Sequence, residues 1–427
     1  MATETPNNPP KEPPDTAHTT AQLRPIQPQE RVFAIDAVRG TAILGILVVN
    51  MMFFAWPFYK ILTVGSFGGG PLDRIAEFAI WFFAESKFIT MFSLLFGLGF
   101  SMLIARAEKA GRSPTRLFSR RLFVLLLIGL VHTFFFWIHD VLVYFALTGF
   151  LLLLFRKRKN RTLLRWAAVF LAIPVAFTLL TTILGTVVWT SPEAVAQLES
   201  EMGSQRQMFE EMYSRAITTY SSGTFLEVTA QRAVDFTFEF FGGYLMSSLY
   251  LIAAMFLIGT VIGRRGMLQN PAAHLQSWQK LLRTAAPIGI ITSAIYTWAH
   301  AVGDPLALDW PAFFQAVGTY IGGPALSLTY VACIVLFVQS ESGKRLFTPF
   351  AAVGRYALSN YLFQSVVCTT LFYGYGFGLF GRVRPALGLL LTVIIFALQM
   401  GLSTLLQKRF RYGPAEWLWR KLTYQAL

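Results

Sequence analysis

The chain has 427 residues, of which 55% are hydrophobic and only 14% are charged, and its mean hydropathy is +0.53. A water-soluble domain cannot bury this much apolar surface, so a soluble globular fold is excluded. The net charge of +14 does not indicate nucleic-acid binding, because the Lys and Arg residues gather in short clusters between long apolar runs. We therefore expect an integral membrane protein whose solvent is the lipid bilayer, with no nucleic-acid partner.

Residues 1–30 contain seven prolines among mostly polar residues, a composition that cannot bury enough apolar area to fold. This predicts a disordered cytoplasmic tail. The first apolar run begins only after Arg31 and is long enough to cross a bilayer, so we expect it to act as an uncleaved anchor. Residues 31–427 are predicted to form a single transmembrane domain.

Ten apolar runs follow, each read as a helix that crosses the hydrocarbon layer. They are Thr41–Phe58, Ile75–Ile104, Leu122–Trp137, Val141–Phe155, Leu163–Trp189, Ala233–Ile262, Ala285–Ala301, Phe313–Val338, Ala357–Phe377 and Leu387–Leu406. The predicted fold class is therefore all-α, a polytopic bundle of about ten transmembrane helices. Glu85, Ser86 and Lys87 interrupt the second run, which predicts a broken or partly re-entrant span.

Basic clusters predict the orientation, because Lys and Arg accumulate on the cytoplasmic side. Two clusters, between Arg106 and Arg121 and between Arg156 and Arg165, flank one apolar stretch. If both are cytoplasmic, that stretch must be a tight helical hairpin that turns near His139. The later clusters alternate consistently and place both termini inside. The segment 191–231 then lies outside, where its Glu and Gln content predicts an amphipathic helix on the membrane surface.

Ionisable groups in the first and third spans are candidates for function, because such groups are costly in a membrane unless they are paired or face water. Asp36 and Arg39 lie one helical turn apart, and Asn50 follows on the same run. They form either an interfacial ion pair or a polar stripe that contributes to a cavity. His132 is predicted near mid-membrane, and His139 and Asp140 lie at the outer turn of the hairpin. Each His is either a packing residue or a general base, with Asp140 orienting one imidazole.

Two later helices carry polar stripes of their own. Arg232, Asp235 and Glu239 are spaced three and four apart at the start of the predicted sixth span, so they share one face near the outer surface. This face is either a solvated helix end or a substrate contact. In the ninth span, Arg355 precedes Asn360 and Gln364, which lie one turn apart and either contact substrate or only join helices through hydrogen bonds.

Soluble-enzyme motifs are missing from the sequence. There is no HExxH, GxSxG or Walker motif, and Cys333 and Cys368 lack the spacing of a zinc site or a disulfide framework. We therefore expect no metal site and no tightly bound cofactor.

Three segments resemble the bacterial YeiB family: RVFAIDAVRG at 31–40, FSLLFGLGF at 92–100, and GLVH at 129–132 with Trp137 and Asp140. GRYALSNY at 354–361 and YGPAEWLWR at 412–420 extend the resemblance over nearly the whole chain after residue 30. The family's shared domain has no assigned function. The resemblance implies a multi-pass protein of the bacterial cytoplasmic (inner) membrane, and it makes Ser93 a further candidate cavity residue.

The start of the first span is also similar to heparan-alpha-glucosaminide N-acetyltransferase, within what looks like a superfamily of transmembrane acyltransferases. That resemblance implies transfer of an acyl group from cytoplasmic acyl-CoA, as co-substrate, to a sugar or lipid acceptor at the far face. The relative has its functional His in the loop after the first span, whereas residues 58–74 contain none here. His132 is then the candidate base, Asp140 its partner, and Asn and Arg side chains the oxyanion donors.

Two other functions stay open. A transporter or lipid-handling protein would use the same intramembrane charges and the broken second span without any base. A noncatalytic scaffold would need neither the intramembrane charges nor a base. The acyl group, the acceptor and the oligomeric state are not predicted.

Overall fold

The computed structural model of the protein describes residues 32–188, 192–242 and 244–424. The predicted tail, residues 1–30, lies outside the described residues. Within the described ranges all regular structure is helical, which confirms the all-α class.

Seventeen α-helices make up most of the described chain. They are α1 (Phe33–Ala55), α2 (Tyr59–Val64), α3 (Pro71–Ala79), α4 (Lys87–Lys109), α5 (Pro114–Phe135), α6 (Val141–Leu154), α7 (Asn160–Val188), α8 (Pro192–Ser222), α9 (Phe225–Phe241), α10 (Tyr244–Arg264), α11 (Leu275–Val302), α12 (Trp310–Val317), α13 (Gly323–Phe337), α14 (Glu341–Arg355), α15 (Ala357–Phe372), α16 (Pro385–Leu406) and α17 (Pro414–Tyr424).

Eight helical segments of the described chain are long and apolar enough to cross a membrane. They correspond to eight of the ten predicted spans; α12–α13 is continuous through a π-helical turn, and α3–α4 counts as one segment despite a break between a π-helical turn and α4. The other two predicted spans are the shorter helices α6, of 14 residues, and α15, of 16 residues. The structure therefore supports a membrane protein, with eight helices of spanning length where the sequence predicts ten.

The predicted sixth span begins in the wrong place. The run from Ala233 to Ile262 is divided between α9 and α10, and only Ser247–Arg264 has spanning length and hydropathy. The capping box formed by Thr224 and Glu227 starts a separate helix that carries Arg232, Asp235 and Glu239. These three residues therefore precede the span instead of entering it.

The predicted break in the second span is present. A π-helical turn at Ile80–Ala84 ends at Glu85, and Ser86 has a positive φ of 63°, which interrupts the helix before α4 begins at Lys87. The Lys87 amine is fully buried and donates a hydrogen bond to the Trp81 carbonyl at 3.0 Å. The predicted helix in the segment 191–231 is also present, as α8.

Close helix contacts depend on glycine. A Cβ at Gly40 would overlap the backbone of Phe350, and a Cβ at Gly354 would overlap the backbone of Asp36, so α1 and α14 touch where both residues lack a side chain. Gly97 and Gly259 make the same kind of contact between α4 and α10. These crossings hold α1 at the centre, against α4, α14, α15 and α16.

Helices α5 and α6 form the predicted hairpin, with a connection at residues 136–140 that contains His139. The basic clusters at its two ends meet other basic segments: Arg264 donates to the Arg158 carbonyl at 2.7 Å, and Trp419 donates to the Arg121 carbonyl at 3.0 Å. We call this side of the bundle the basic end. The side that holds the hairpin turn is the opposite end.

Candidate functional site

The hairpin turn brings His132 and Asp140 together. Asp140 is the N-cap of α6, where its Oδ2 accepts a hydrogen bond from the Val143 amide at 3.1 Å. This cap aims the other oxygen, Oδ1, at His132 Nδ1, which lies 2.9 Å away in the last turn of α5. Both side chains are almost completely buried. The residue that caps α6, Asp140, therefore also fixes the orientation of the His132 imidazole.

Tyr361 of α15 completes this group. Its hydroxyl donates to Asp140 Oδ1 at 3.1 Å and accepts from the Val141 amide at 3.3 Å. A carboxylate only accepts hydrogen bonds, so Nδ1 is the donor in the His132–Asp140 contact, and the neutral imidazole with this orientation has its lone pair on Nε2. That Nε2 is buried and has no hydrogen-bond partner among the described residues. The group therefore presents a free, oriented basic nitrogen.

A cavity of about 270 Å³ leads from the basic end to this group, and we call it the basic-end cavity. Its walls in the bundle are mostly apolar and come from α1, α4, α5, α6 and α15. Its charged lining consists of Arg39, Arg106, Arg121, Arg355 and Arg420 with Asp36 and Glu416. Val141 and Tyr361 also line it, so it reaches two residues that contact each other beside Asp140. Five cations against two anions favour an anionic ligand at this end.

Helix α17 covers part of the basic-end cavity. Glu416 accepts hydrogen bonds from the backbone amides of Leu358 and Ser359 at 2.7 and 3.2 Å, at the start of α15. The guanidinium of Arg121 lies 4.0 Å from the centre of the Trp419 ring. Arg420 lies on α17, outside the spanning helices, and burial lowers the pKa of its guanidinium from the ordinary value. The C-terminal family motif therefore builds a wall of this cavity.

A narrow cleft lies at the opposite end, and we call it the opposite-end cleft. Its lining consists of Phe53, Pro57, Phe58, Tyr59, Ile138, His139, Tyr220, Asp235, Glu239, Tyr373 and Phe380, around a space of about 10 Å³. His139 Nδ1 lies 2.7 Å from Glu239 Oε1, which forms a second imidazole–carboxylate pair.

Asp235 is the best-satisfied carboxylate of the cleft. It accepts hydrogen bonds from Tyr59 at 2.9 Å, Tyr220 at 2.6 Å and Gln231 at 2.8 Å. Burial raises the pKa of Asp235 above its usual range, although these three donors act in the other direction. Burial, followed by the charge of Asp235, raises the pKa of Tyr220 well above its ordinary value. The hydroxyl of Tyr220 is thus kept protonated as a donor.

The group of His132, Asp140 and Tyr361 lies between the two openings. Ile138 and His139 line the opposite-end cleft, Val141 and Leu142 line the basic-end cavity, and Asp140 stands between them in the chain. Along α1 the two linings are seven residue steps apart, from Ile46 to Phe53, which is about 10 Å at helical rise. Of this group only Tyr361 lines an opening, the basic-end cavity, whereas His132 and Asp140 are buried behind the two linings.

Several residues predicted from the sequence come together in this arrangement. Asp36 and Arg39 form the expected ion pair at 2.9 Å, and both also line the basic-end cavity. The ion-pair and cavity interpretations of these two residues are therefore compatible. Arg355 lines the same cavity. Asp235 and Glu239 line the opposite-end cleft, whereas Arg232 is fully buried behind it, with its guanidinium 5.2 Å from the Tyr373 ring centre.

Seven of the predicted site residues line neither opening: His132, Asp140 and Arg232, described above, and Ser93, Asn50, Asn360 and Gln364. The Ser93 hydroxyl bonds to the Ile89 carbonyl of its own helix, and Asn50 lines neither opening. Asn360 donates to Val353 and Ser403, and Gln364 donates to Gln399 at 2.9 Å. The last two amides therefore join α15 to neighbouring helices, because their side chains point along helix contacts and not into a cavity.

The sequence interpretation missed some residues that the structure brings to the site. Tyr361 belongs to a polar stripe but was not expected to touch Asp140, which is 221 residues away. Tyr59 and Tyr220 reach Asp235 from two other helices. The only signal in the sequence was the family motif around Tyr361. Contacts between distant helices leave no periodic pattern.

Comparisons with known proteins agree with the family resemblance. A family model described as a protein of unknown function, DUF418, matches residues 262–426. YxaH of Bacillus subtilis strain 168 is 34% identical over 420 residues, which cover 95% of this chain and 97% of YxaH. YeiB of Escherichia coli K12 is 31% identical over 413 residues, 93% of this chain and 97% of YeiB. Both relatives are described as uncharacterized, and no solved structure matches the chain significantly.

Proposed function

The chain belongs to the bacterial YeiB family, and from the geometry of its buried site we propose that it is an acyltransferase embedded in the bacterial inner membrane. In this proposal it moves an acyl group from cytoplasmic acyl-CoA to a sugar or lipid acceptor at the extracytoplasmic side. One observation supports the proposal: Asp140 orients the buried His132 imidazole and also binds Tyr361, which lines a cavity with an arginine-rich mouth.

The basic-end cavity fits the donor. The positive-inside rule assigns the basic end to the cytoplasm, where acyl-CoA is found. Arg39, Arg106 and Arg420 offer cations to the phosphates, and the apolar walls suit the pantetheine arm that carries the thioester. A donor bound this way extends its thioester toward Tyr361 and the imidazole.

The transfer step needs one base and one oxyanion donor. His132 Nε2 removes the proton from the acceptor hydroxyl as its oxygen attacks the thioester carbon. The carbon–sulfur bond then breaks, the ester forms, and His132 returns the proton to the departing CoA thiolate. Arg355 is the available oxyanion donor, because the Asn360 amide is already bonded to Val353 and Ser403, while Arg355 Nε has no partner in the described part of the chain.

The test is acetyl-CoA turnover by the purified full-length protein in nanodiscs, measured as release of free thiol. We expect His132→Ala to reduce turnover by about a hundredfold or more, the usual contribution of a general base. The matched control is His274→Ala, at a position that lines neither opening. Wild-type turnover in the His132→Ala protein would exclude the base assignment, and a wild type that neither binds nor turns over acetyl-CoA would exclude the enzyme.

A transporter is the second candidate, and the break at Glu85–Ser86 with the fully buried amine of Lys87 favours it. In that case Lys87→Met would abolish transport by proteoliposomes, and His132→Ala would not change it. If the protein is an acyltransferase, His132→Ala should reduce acetyl-CoA turnover more than Lys87→Met does. If the protein is a noncatalytic scaffold, neither substitution should change the binding, transport or turnover of any ligand.

A further inference from the structure

We infer that the opposite-end cleft is the acceptor subsite and that it takes a neutral polyhydroxylated group, a sugar with a protruding hydroxyl. The inference rests on the proposed function, because it names the second substrate of the same reaction. It also makes His139, Glu239 and Asp235 the residues that recognise the acceptor.

Aromatic faces form the walls of the cleft. The Phe53 and Phe58 rings lie 5.2 and 6.0 Å from the His139 ring centre, and Tyr373 packs 5.6 Å from Phe380 on the same lining. Ligand sites combine such apolar surfaces with a few fixed polar groups. The C–H faces of a sugar ring fit aromatic walls, while its hydroxyl groups need acceptors at the edge.

The polar groups of the cleft are already organised for hydroxyl groups. Glu239 is held by His139, and Asp235 is held by two tyrosines and Gln231. Fixed carboxylates accept hydrogen bonds from hydroxyl groups at little cost in side-chain ordering. This arrangement favours a ligand whose hydroxyl groups donate hydrogen bonds.

The charge balance favours a neutral ligand over an amine. Arg232 lies one helical turn before Asp235 and is fully buried, where it donates to the Phe134 carbonyl at 3.2 Å and the Tyr375 hydroxyl at 3.1 Å. Its cation offsets one of the two carboxylates, and the other, Glu239, is already paired with His139 at 2.7 Å. The cleft therefore does not need a cationic ligand to neutralise it.

The size of the cleft limits what can enter. About 10 Å³ of enclosed space holds one water-sized group, so a single hydroxyl enters while the ring stays at the aromatic mouth. His139 is the residue before Asp140, whose Oδ1 holds His132. The polar group that binds the hydroxyl therefore lies one residue along the chain from the carboxylate that holds the proposed base.

The experiment measures binding of octyl β-glucoside, below its micelle concentration, to the full-length protein in phosphatidylcholine nanodiscs by saturation-transfer NMR. We expect saturable binding that Glu239→Gln weakens at least tenfold, because the charged acceptor of hydroxyl bonds is lost. His139→Gln, which keeps a donor toward Glu239, should weaken it less. The control is Glu210→Gln on α8, an exposed carboxylate outside the cleft, with wild-type binding expected.

Equal binding by the wild type and both folded cleft variants would overturn the inference, with folding checked by thermal unfolding. Octylamine that binds more tightly than octyl β-glucoside would also overturn it, in favour of an amine acceptor. Acetyl-CoA binding is measured in parallel. If acetyl-CoA does not bind while the glucoside still binds in a Glu239-dependent way, the acyltransferase proposal fails and the sugar subsite remains.

Discussion

Asp140 links the local structure of the hairpin to its chemistry. One oxygen caps α6 and the other holds His132 and Tyr361, so a single carboxylate serves the helix start and the imidazole together. An Asp before an apolar helix is an ordinary cap. This one is buried beside an imidazole nitrogen that has no hydrogen-bond partner among the described residues, a feature that only the folded chain reveals.

Asp140→Asn and Asp140→Ala separate these two roles. Asparagine still caps a helix but cannot accept from His132 as a charged group, whereas alanine loses both functions. We expect similar large losses of acetyl-CoA turnover in both variants, while only Asp140→Ala loses about 1 kcal/mol of stability, the usual value of a cap. Thermal unfolding and thiol release measure the two effects. Full activity of Asp140→Asn would contradict the positioning role.

Arg106 and Lys109 lie on the same helix, but only Arg106 lines the basic-end cavity. Arg106→Gln should raise the KM for acetyl-CoA about tenfold, since a charged hydrogen bond is worth about 1.5–3 kcal/mol, with little change in kcat. Lys109→Gln is the control and should leave KM unchanged. Steady-state kinetics at fixed ionic strength provide the measurement. An equal effect of both variants would indicate general charge attraction instead of a phosphate contact.

At the scale of the helices, small residues determine which elements can meet. The small-residue face that includes Gly97 is visible in the sequence, and in the structure it packs against α10. Its partner helix is not visible in the sequence, because an apolar helix surface fits many neighbours. The same holds for Asn360 and Gln364, whose hydrogen bonds to α14 and α16 could be anticipated as helix contacts but not assigned to a partner.

Gly354→Ala and Gly401→Ala distinguish a tight crossing from a free helix surface. A Cβ at Gly354 overlaps the Asp36 backbone, whereas a Cβ at Gly401 meets nothing within 4 Å. We expect Gly354→Ala to lower the unfolding temperature, because overpacking costs about 1–3 kcal/mol. Gly401→Ala should leave it unchanged or raise it, since alanine favours helix. Equal unfolding temperatures would show that α1 and α14 can separate without cost.

At the scale of the whole molecule, the basic clusters organise the bundle around two ends. Contacts such as Arg264 to the Arg158 carbonyl bring clusters from distant parts of the chain to one side. The hairpin turn and α9 lie on the other side, where Glu239 meets His139. The proposed direction of transfer follows from this division and from the positive-inside rule.

Single cysteines test the orientation. In a Cys333→Ala, Cys368→Ala background, Glu201→Cys on α8 should react with a membrane-impermeant maleimide in intact spheroplasts. Glu341→Cys should react only after lysis, because the positive-inside rule predicts that the basic end faces the cytoplasm. Both positions are exposed in the structure. Labelling of Glu341→Cys in intact cells would reverse the orientation and with it the assignment of the donor cavity.

The sequence by itself determined the membrane class, the all-α fold, the hairpin between basic clusters and the break at Glu85–Lys87. These properties depend on composition, run length and local charge, which neighbouring residues encode. The tertiary structure decided that α9 is separate from α10, that Asn360 and Gln364 join helices, and that Tyr361 meets Asp140. It also placed Tyr361 on the lining of the basic-end cavity. Such juxtapositions depend on how apolar surfaces pack across distant segments, and that choice is a property of the whole chain.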